Sequence, residues 1–302
     1  MVCFSPLTGY RSAEVGPSGK RAIVFDASKG YADRPVTLPC GQCVGCRLEK
    51  SRQWAIRCVH EAACHDSNVF VTLTYSDVHL PRDLSLDCRH FQLFMKRLRK
   101  QKGAGVRFFH CGEYGDKNHR PHYHALLFNC DFEDKVLWKE TEYGRVYTSA
   151  NLAQLWGMGF CTLGDVTFRS AAYVARYVMK KQYGEAAKEH YSWVDASTGE
   201  VFIRKPEYVT MSRRPGVGTA WLDQFQTDVY PDDFVILDGK KLRAPRFYDA
   251  VIEKSNPGLF KDIKRRRIIN SRRHSGNNTK QRLRVREAVQ RARLARLQRE
   301  SV

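Results

Sequence analysis

The chain has 302 residues, 42% of them hydrophobic, enough to bury one large core or two small ones. A formal net charge of +19 says little about fold and much about partners: nucleic acid or another polyanionic surface. The opening MVCFSPLTGYRSAE lacks the apolar stretch of a secretory leader and no apolar run approaches a membrane span, so a soluble intracellular protein with no membrane partner is expected.

Residues 1–39 are interrupted by Pro6, Gly9, Gly16, Pro17, Gly19 and Gly30, with a short strand expected in RAIVFD (21–26). In LPCGQCVGCR (38–47), Cys40, Cys43 and Cys46 then repeat every three residues. Cysteines in a large basic chain without a leader read as thiols or metal ligands rather than as a disulfide framework. Three thiols at this spacing suit a structural Zn²⁺, which takes four soft ligands in a tetrahedron. Cys3 is the preferred fourth ligand; Cys58, His60, Cys64 and His65 are alternatives. From Val44 to about His65 the pattern is helical, with Leu48, Ala55, Val59 and Ala62 at the 3.6 period. NVFVTLTY (68–75) reads as a strand, and Asp87 as the cap of a helix that turns Phe91, Phe94, Met95 and Leu98 inward.

Two further strands follow, VRFFHCGEY (106–114) and RPHYHALLF (120–128), joined by a turn through Asp116, Lys117, Asn118 and His119. Alternate residues of a strand share a face, so His122 and His124 point one way and Tyr123 the other. The hairpin register sets Glu113 opposite His122. Two imidazoles and a carboxylate with open coordination positions suit a catalytic divalent ion. Glu113 is the least secure of the three ligands, with Asp116 and His119 as substitutes.

Residues 131–148 have no clear period and read as an insertion. SANLAQLWG (149–157) is a short helix, FCTLGDVT (160–167) a strand, and Phe168 to Tyr183 a helix that carries Tyr173, Tyr177 and Lys180 on one face at i, i+4 and one turn later. A phenol is a nucleophile once a cation or base activates it, and Lys180 or the metal is placed to do so. Residues 184–206 read as a loop or hairpin around Thr198 and Gly199, 206–218 as a strand and a basic turn, 219–227 as a short helix, and 234–248 as a hairpin turning at Asp238 and Gly239. From Lys261 on, three acids stand among many arginines; 271–279 has a linker's composition, and 280–300 is an Arg-rich segment expected to form a helix when bound. The expected division is a Cys-rich segment and helix (1–66), a core with insertions (67–258) and a basic tail (259–302). The element order implies an α+β fold, an antiparallel sheet with packed helices.

FVTLTY (70–75), PHYHALLF (121–128) and YVARYVMKK (173–181) resemble, in order, the three motifs of the HUH endonucleases, the rolling-circle replication initiators and their relatives. With PCGQCVGCRLEKSRQWAIR (39–57), GEYGDKNHRPHYHALLF (112–128) and SRRPGVG (212–218), the chain is more closely similar to the replication-associated proteins of small single-stranded DNA phages, the gokushovirus-type microviruses. The resemblance runs from about Cys40 to Gly218 and leaves the tail uncovered. It implies a ferredoxin- or RRM-like HUH core and a Mg²⁺- or Mn²⁺-dependent nickase. One tyrosine would attack an origin phosphate and stay linked to the DNA 5′ end. The freed 3′-OH would prime the host polymerase, and the second tyrosine would enable rejoining. Single-stranded and origin DNA, the host helicase and polymerase, and the host cytoplasm follow as expected partners and location. The competing expectations are a non-catalytic zinc-containing DNA-binding protein and another HUH enzyme, a plasmid initiator, relaxase or transposase.

Overall fold

The computed structural model describes residues 3–17, 19–115, 118–142, 144–176, 184–195, 198–230 and 232–296. It divides into two compact units, Met1–Lys50 with Lys261–Val302, and Ser51–Phe260.

In the first unit, β1 (Leu7–Arg11) lies between β2 (Ile23–Val24) and β3 (Val36–Leu38), both antiparallel to it. The sequence pattern indicates only β2, because β1 and β3 carry glycine, threonine and arginine and bury little. Helix α1 (Val44–Ala62) begins here, just after the cysteine repeat.

The larger unit holds β4 (Asn68–Thr74), α2 (Cys88–Lys102), β5 (Arg107–Tyr114), β6 (Pro121–Phe128), β7 (Val136–Thr141), β8 (Gly144–Thr148), α3 (Ala150–Trp156), β9 (Cys161–Asp165), α4 (Phe168–Arg176), α5 (Glu185–Tyr191), β10 (Ser192–Val194), β11 (Val201–Ile203), β12 (Tyr208–Met211), α6 (Thr219–Val229), β13 (Phe234–Leu237), β14 (Lys240–Arg243) and α7 (Arg246–Ser255). Seven strands form one antiparallel sheet in the order β12-β5-β6-β4-β9-β8-β7, which establishes the α+β class, with the histidine strand β6 inside the sheet. Helices α5 and α7 were not expected. The segment 131–148, expected as an insertion, instead forms the β7–β8 hairpin that widens the sheet. Its alternation was illegible because Val136, Leu137 and Trp138 are all exposed in succession.

Both faces of the central strands are covered, so their side chains divide by parity. Tyr123, Ala125 and Leu127 join Val69, Val71 and Leu73 in a core with Phe91, Phe94 and Leu98 of α2 and Leu152 and Trp156 of α3. Leu126 and Phe128 join Phe109 and Cys111 in a second core with Ala55 and Cys58 of α1 and Ala171, Val174 and Ala175 of α4. Asp87 caps α2 as expected, its side chain accepting from Arg89 N at 2.8 Å. The SRRPGVG turn is tied to α1: Glu61 accepts from Gly218 N at 2.6 Å and pairs with Arg107, and Arg57 Nε donates to Val217 O at 2.9 Å.

The tail continues in α8 (Pro257–Arg273) and α9 (Lys280–Ala295). Residues 271–279 complete α8 and then turn through Ser275–Asn278 to Thr279, whose hydroxyl accepts from Arg282 N at 3.4 Å as the cap of α9. The expected linker is therefore a capped turn. Among the described residues, no helix is long and apolar enough to cross a membrane.

Tyr123 is wholly buried, and its hydroxyl accepts from Asp87 N at 2.9 Å and bonds Tyr75 Oη at 2.7 Å. Tyr123→Phe keeps the ring but strips both groups of a partner, and should destabilise the chain by about 1–3 kcal/mol. A urea melt reads this as a lower midpoint with an unchanged slope.

Candidate functional site

Two adjacent rows cross the middle of the sheet. Glu113 of β5 is opposite His122 of β6, which is opposite Thr74 of β4; in the next row stand Cys111, His124 and Thr72. By parity these side chains share the face that α1 and α4 cover. Glu113 is 2% and His124 1% exposed, while His122 is half-buried. Glu113 Oε1 lies 2.8 Å from His122 Nε2 and 3.0 Å from His124 Nε2.

The partners of the other ring nitrogens decide what the cluster can hold. His122 Nδ1 lies 3.1 Å from the Arg120 carbonyl oxygen, which can only accept, so Nδ1 carries the proton. A neutral His122 then turns its Nε2 lone pair toward a carboxylate oxygen. That contact is repulsive unless a proton or a cation joins the two atoms. His124 Nδ1 is held 3.0 Å from Thr72 Oγ1, again leaving Nε2 toward Glu113. Burial pushes the Glu113 carboxyl up, but the hydrogen bonds from His122 and His124 prevail and hold it well below the usual carboxylate range. The three ligand atoms lie within 4.8 Å of one another. Their contacts match the edge of about 3 Å in an octahedron with ligand bonds of ~2.1 Å. The donor set fits a divalent cation.

Tyr173 on α4 faces this cluster. Its ring is edge-on to His124, centroids 5.1 Å apart at 82°, and edge-on to Phe70 at 6.3 Å. Phe70 in turn stacks on His124 at 5.6 Å. Arg176 Cζ lies 5.8 Å from the Tyr173 centroid. Tyr177 and Lys180, expected on the same stripe, lie outside the described residues, as do Asp116 and Lys117 of the hairpin turn. Thr72 and Arg120, which orient the histidines, were not singled out from the sequence. The alternation of FVTLTY carried the signal for Thr72, because it places that residue on the histidine face.

In the other unit, Cys3, Cys40, Cys43 and Cys46 bring four sulfurs within 4.8 Å of one another. Cys3 is thus the fourth member, and none of Cys58, His60, Cys64 and His65 is. The Cys3–Cys40 and Cys3–Cys43 sulfurs are 3.6 and 3.9 Å apart. A tetrahedron with Zn–S bonds of ~2.3 Å has an edge of about 3.8 Å. Backbone N–H groups of Phe4, Cys40 and Cys43 each donate to a cluster sulfur at 3.3 Å. Although burial opposes it, these contacts draw the Cys43 thiol down to about 7, while burial pushes Cys46 up. A set with one thiolate favoured and its neighbours disfavoured is what crowding four sulfurs without a cation produces.

The family described as Replication-associated protein of the ORF2 type matches residues 68–182, from β4 through the tyrosine helix. The chain is 36% identical over 259 residues to Replication-associated protein VP4 of Bdellovibrio phage phiMH2K, an alignment covering 82% of this chain and 78% of the relative. It is 32% identical to Replication-associated protein ORF2 of Spiroplasma virus 4, covering 76% and 72%. It is 34% identical over 153 residues to Replication-associated protein ORF4 of Chlamydia phage 1, covering 48% and 38%. No solved structure matches the chain.

If the thiol cluster holds zinc, purified protein should contain about one zinc per chain by elemental analysis. Cys40→Ser or Cys43→Ser should remove most of it and lower the melting temperature. Wild-type protein with no zinc after metal-replete expression contradicts the assignment.

Proposed function

The chain belongs to the replication-associated proteins of small phages, and on that premise we propose that it is the endonuclease that opens and recloses one strand at the origin of a circular phage DNA. The observation that carries this reading is the Tyr173 ring edge-on to His124, beside a buried carboxylate–imidazole cluster. Glu113, His122 and His124 are the proposed ligands of Mg²⁺ or Mn²⁺, whose charge, when bound, polarises a phosphodiester for attack. The Arg120 carbonyl and Thr72 hydroxyl keep both Nε2 atoms turned inward, as second partners of metal-binding histidines do.

In the proposed step the Tyr173 phenol oxygen attacks the scissile phosphorus and the P–O3′ bond breaks. The phenol proton is lost and the 3′-oxygen leaves as a hydroxyl after taking a proton. The DNA 5′ phosphate is then esterified to the tyrosine. The free 3′-OH is a primer for the host polymerase, working with the host helicase in the host cytoplasm. Tyr177, four residues on, is assigned the second attack, and Lys180 the activation of the phenols; both roles rest on their spacing. Rejoining is the reverse displacement, so the bond energy is conserved in the phosphotyrosine and no ATP is required. The zinc cluster is assigned to stability, and the basic tail to contact with DNA phosphates.

Incubating the protein with labelled origin single strand and Mg²⁺ or Mn²⁺ should give a covalent adduct on a denaturing gel. His124→Ala and His122→Ala should each cut adduct formation by about a hundredfold or more, while DNA affinity, dominated by phosphate contacts, changes little. Tyr173→Phe combined with Tyr177→Phe should leave a folded, DNA-binding, inert protein. An adduct from the double variant would move the nucleophile elsewhere.

The tail makes a separate prediction. Arg282, Arg284 and Arg293 are exposed on α9. Changing them to Gln should flatten the slope of log affinity against log salt by ~0.7 for each single-strand phosphate they no longer neutralise. An unchanged slope excludes these side chains from the DNA interface.

A further inference from the structure

Trp138 and Phe160 are 50% and 49% exposed, and their rings meet at 5.1 Å between centroids and 63°. Neither takes part in the chemistry described above. Yet the sheet places them in line with it. Leu73 pairs with Cys161, and Thr74 donates to the Phe160 carbonyl from both its N–H (3.0 Å) and its hydroxyl (2.8 Å). Phe160 therefore stands opposite Thr74, and one row across neighbouring backbone segments reads Glu113, His122, Thr74, Phe160. Residues directly opposite in an antiparallel pair share a face, so Phe160 belongs to the face of the carboxylate–imidazole cluster. Two strand spacings, about 10 Å, separate it from His122.

Two local features fix the pair. Gly159 lets the chain press against the end of β4: a Cβ there would lie 2.4 Å from Ser76 N and from Thr74 O. On β7, Leu137 and Lys139 pair with the consecutive residues Tyr147 and Val146, so Trp138 is the extra residue of a bulge. A bulge re-aims a side chain, and this one brings the indole to Phe160. Lys139 Nζ lies 4.6 Å from the Trp138 centroid.

Exposed rings beside a cation, in line with a phosphate-handling cluster on a chain of net charge +19, match the chemistry of an unpaired nucleotide: a stacking face and an anion. A second copy of the chain is the rival occupant, since β7 is an edge strand. The bulge and Lys139 both oppose edge-to-edge pairing.

We propose that Trp138 and Phe160 form a base-stacking platform for single-stranded DNA, seating a nucleotide about three positions from the phosphate at the Glu113, His122 and His124 cluster, at ~3.4 Å per stacked nucleotide. The position relative to the cluster rests on the endonuclease reading; the stacking does not.

Binding of a fluorescein-labelled oligothymidine, followed by anisotropy, tests it on the full chain. Trp138→Ala and Phe160→Ala should each weaken binding about five- to hundredfold, with the salt slope unchanged, and Trp138→Tyr should restore most of the affinity. Wild-type affinity in both alanine variants, with wild-type melting curves, overturns the proposal. So does a drop in affinity that accompanies a dimer becoming a monomer in sedimentation. Photocrosslinking of wild-type protein to iodouracil-substituted oligothymidine should label Trp138 or Phe160; labels found only elsewhere overturn it. The two readings separate cleanly. Normal binding by the variants in a protein that forms the covalent adduct removes the platform alone. Weakened binding in a protein that forms no adduct on origin DNA removes the endonuclease and the placement, and leaves the stacking.

Discussion

A carboxylate in the middle of a sheet covered on both faces is stable only if something compensates the water it has lost. Glu113 is such a group, and the two imidazoles opposite it supply the compensation. The constraint propagates outward. His122 is oriented by the Arg120 carbonyl, and the Arg120 guanidinium bonds Asp77 at 2.5 Å and Tyr75 O at 3.0 Å. His124 is oriented by Thr72, its neighbour across β4 and β6. All these contacts require one register among β5, β6 and β4. A slip of one residue would turn Glu113 toward the opposite core and replace it with an apolar neighbour.

The same register is enforced by packing, which is why the site is rigid rather than a chance meeting of side chains. Tyr123 sits between the histidines in sequence and in the opposite core in space, joined there to Tyr75 and to Asp87 at the start of α2. Leu126 and Phe128 continue the histidine face into the core beneath α1 and α4. Each core therefore locks the strand whose other face carries the chemistry. Burial of Ala171, Val174 and Ala175 fixes the roll of α4, and that roll points Tyr173 at His124. Ser51 Oγ donates to Ala172 O at 3.4 Å, a further tie on the same helix.

Period-two and period-3.6 patterns made the central elements readable. The β5–β6 pairing, with Glu113 opposite His122, followed from a tight turn between two alternating segments. The capped α2 followed from Asp87 and its inward stripe. Cys3 was recoverable as a cluster member because a tetrahedral site lacking one ligand calls for another thiol from the same loop-rich region. What stayed hidden lacks a period. The hairpin of β7 and β8 exposes apolar residues in succession and contains a bulge, so alternation fails where the ladder does. Helix α7 follows a strand so closely that its first residues read as part of the hairpin. Thr72 and Arg120 act through a hydroxyl and a backbone carbonyl, and the latter leaves no trace in residue type.

The donor atoms of the two clusters also sort their cations without any need for the protein to discriminate by affinity. Four sulfurs, with N–H groups donating to them, form a soft and closed shell that suits zinc and leaves no coordination position for substrate. One carboxylate and two imidazoles form a harder and incomplete shell. Its open positions are where water or a phosphate oxygen would complete the coordination of Mg²⁺ or Mn²⁺. A thiolate in the second cluster would draw zinc there too, yet the nearest cysteine in its rows, Cys111, is fully buried in the core beneath α1 and α4. On the proposed function, that burial keeps the reactive site hard in character while the same chain carries a soft metal elsewhere.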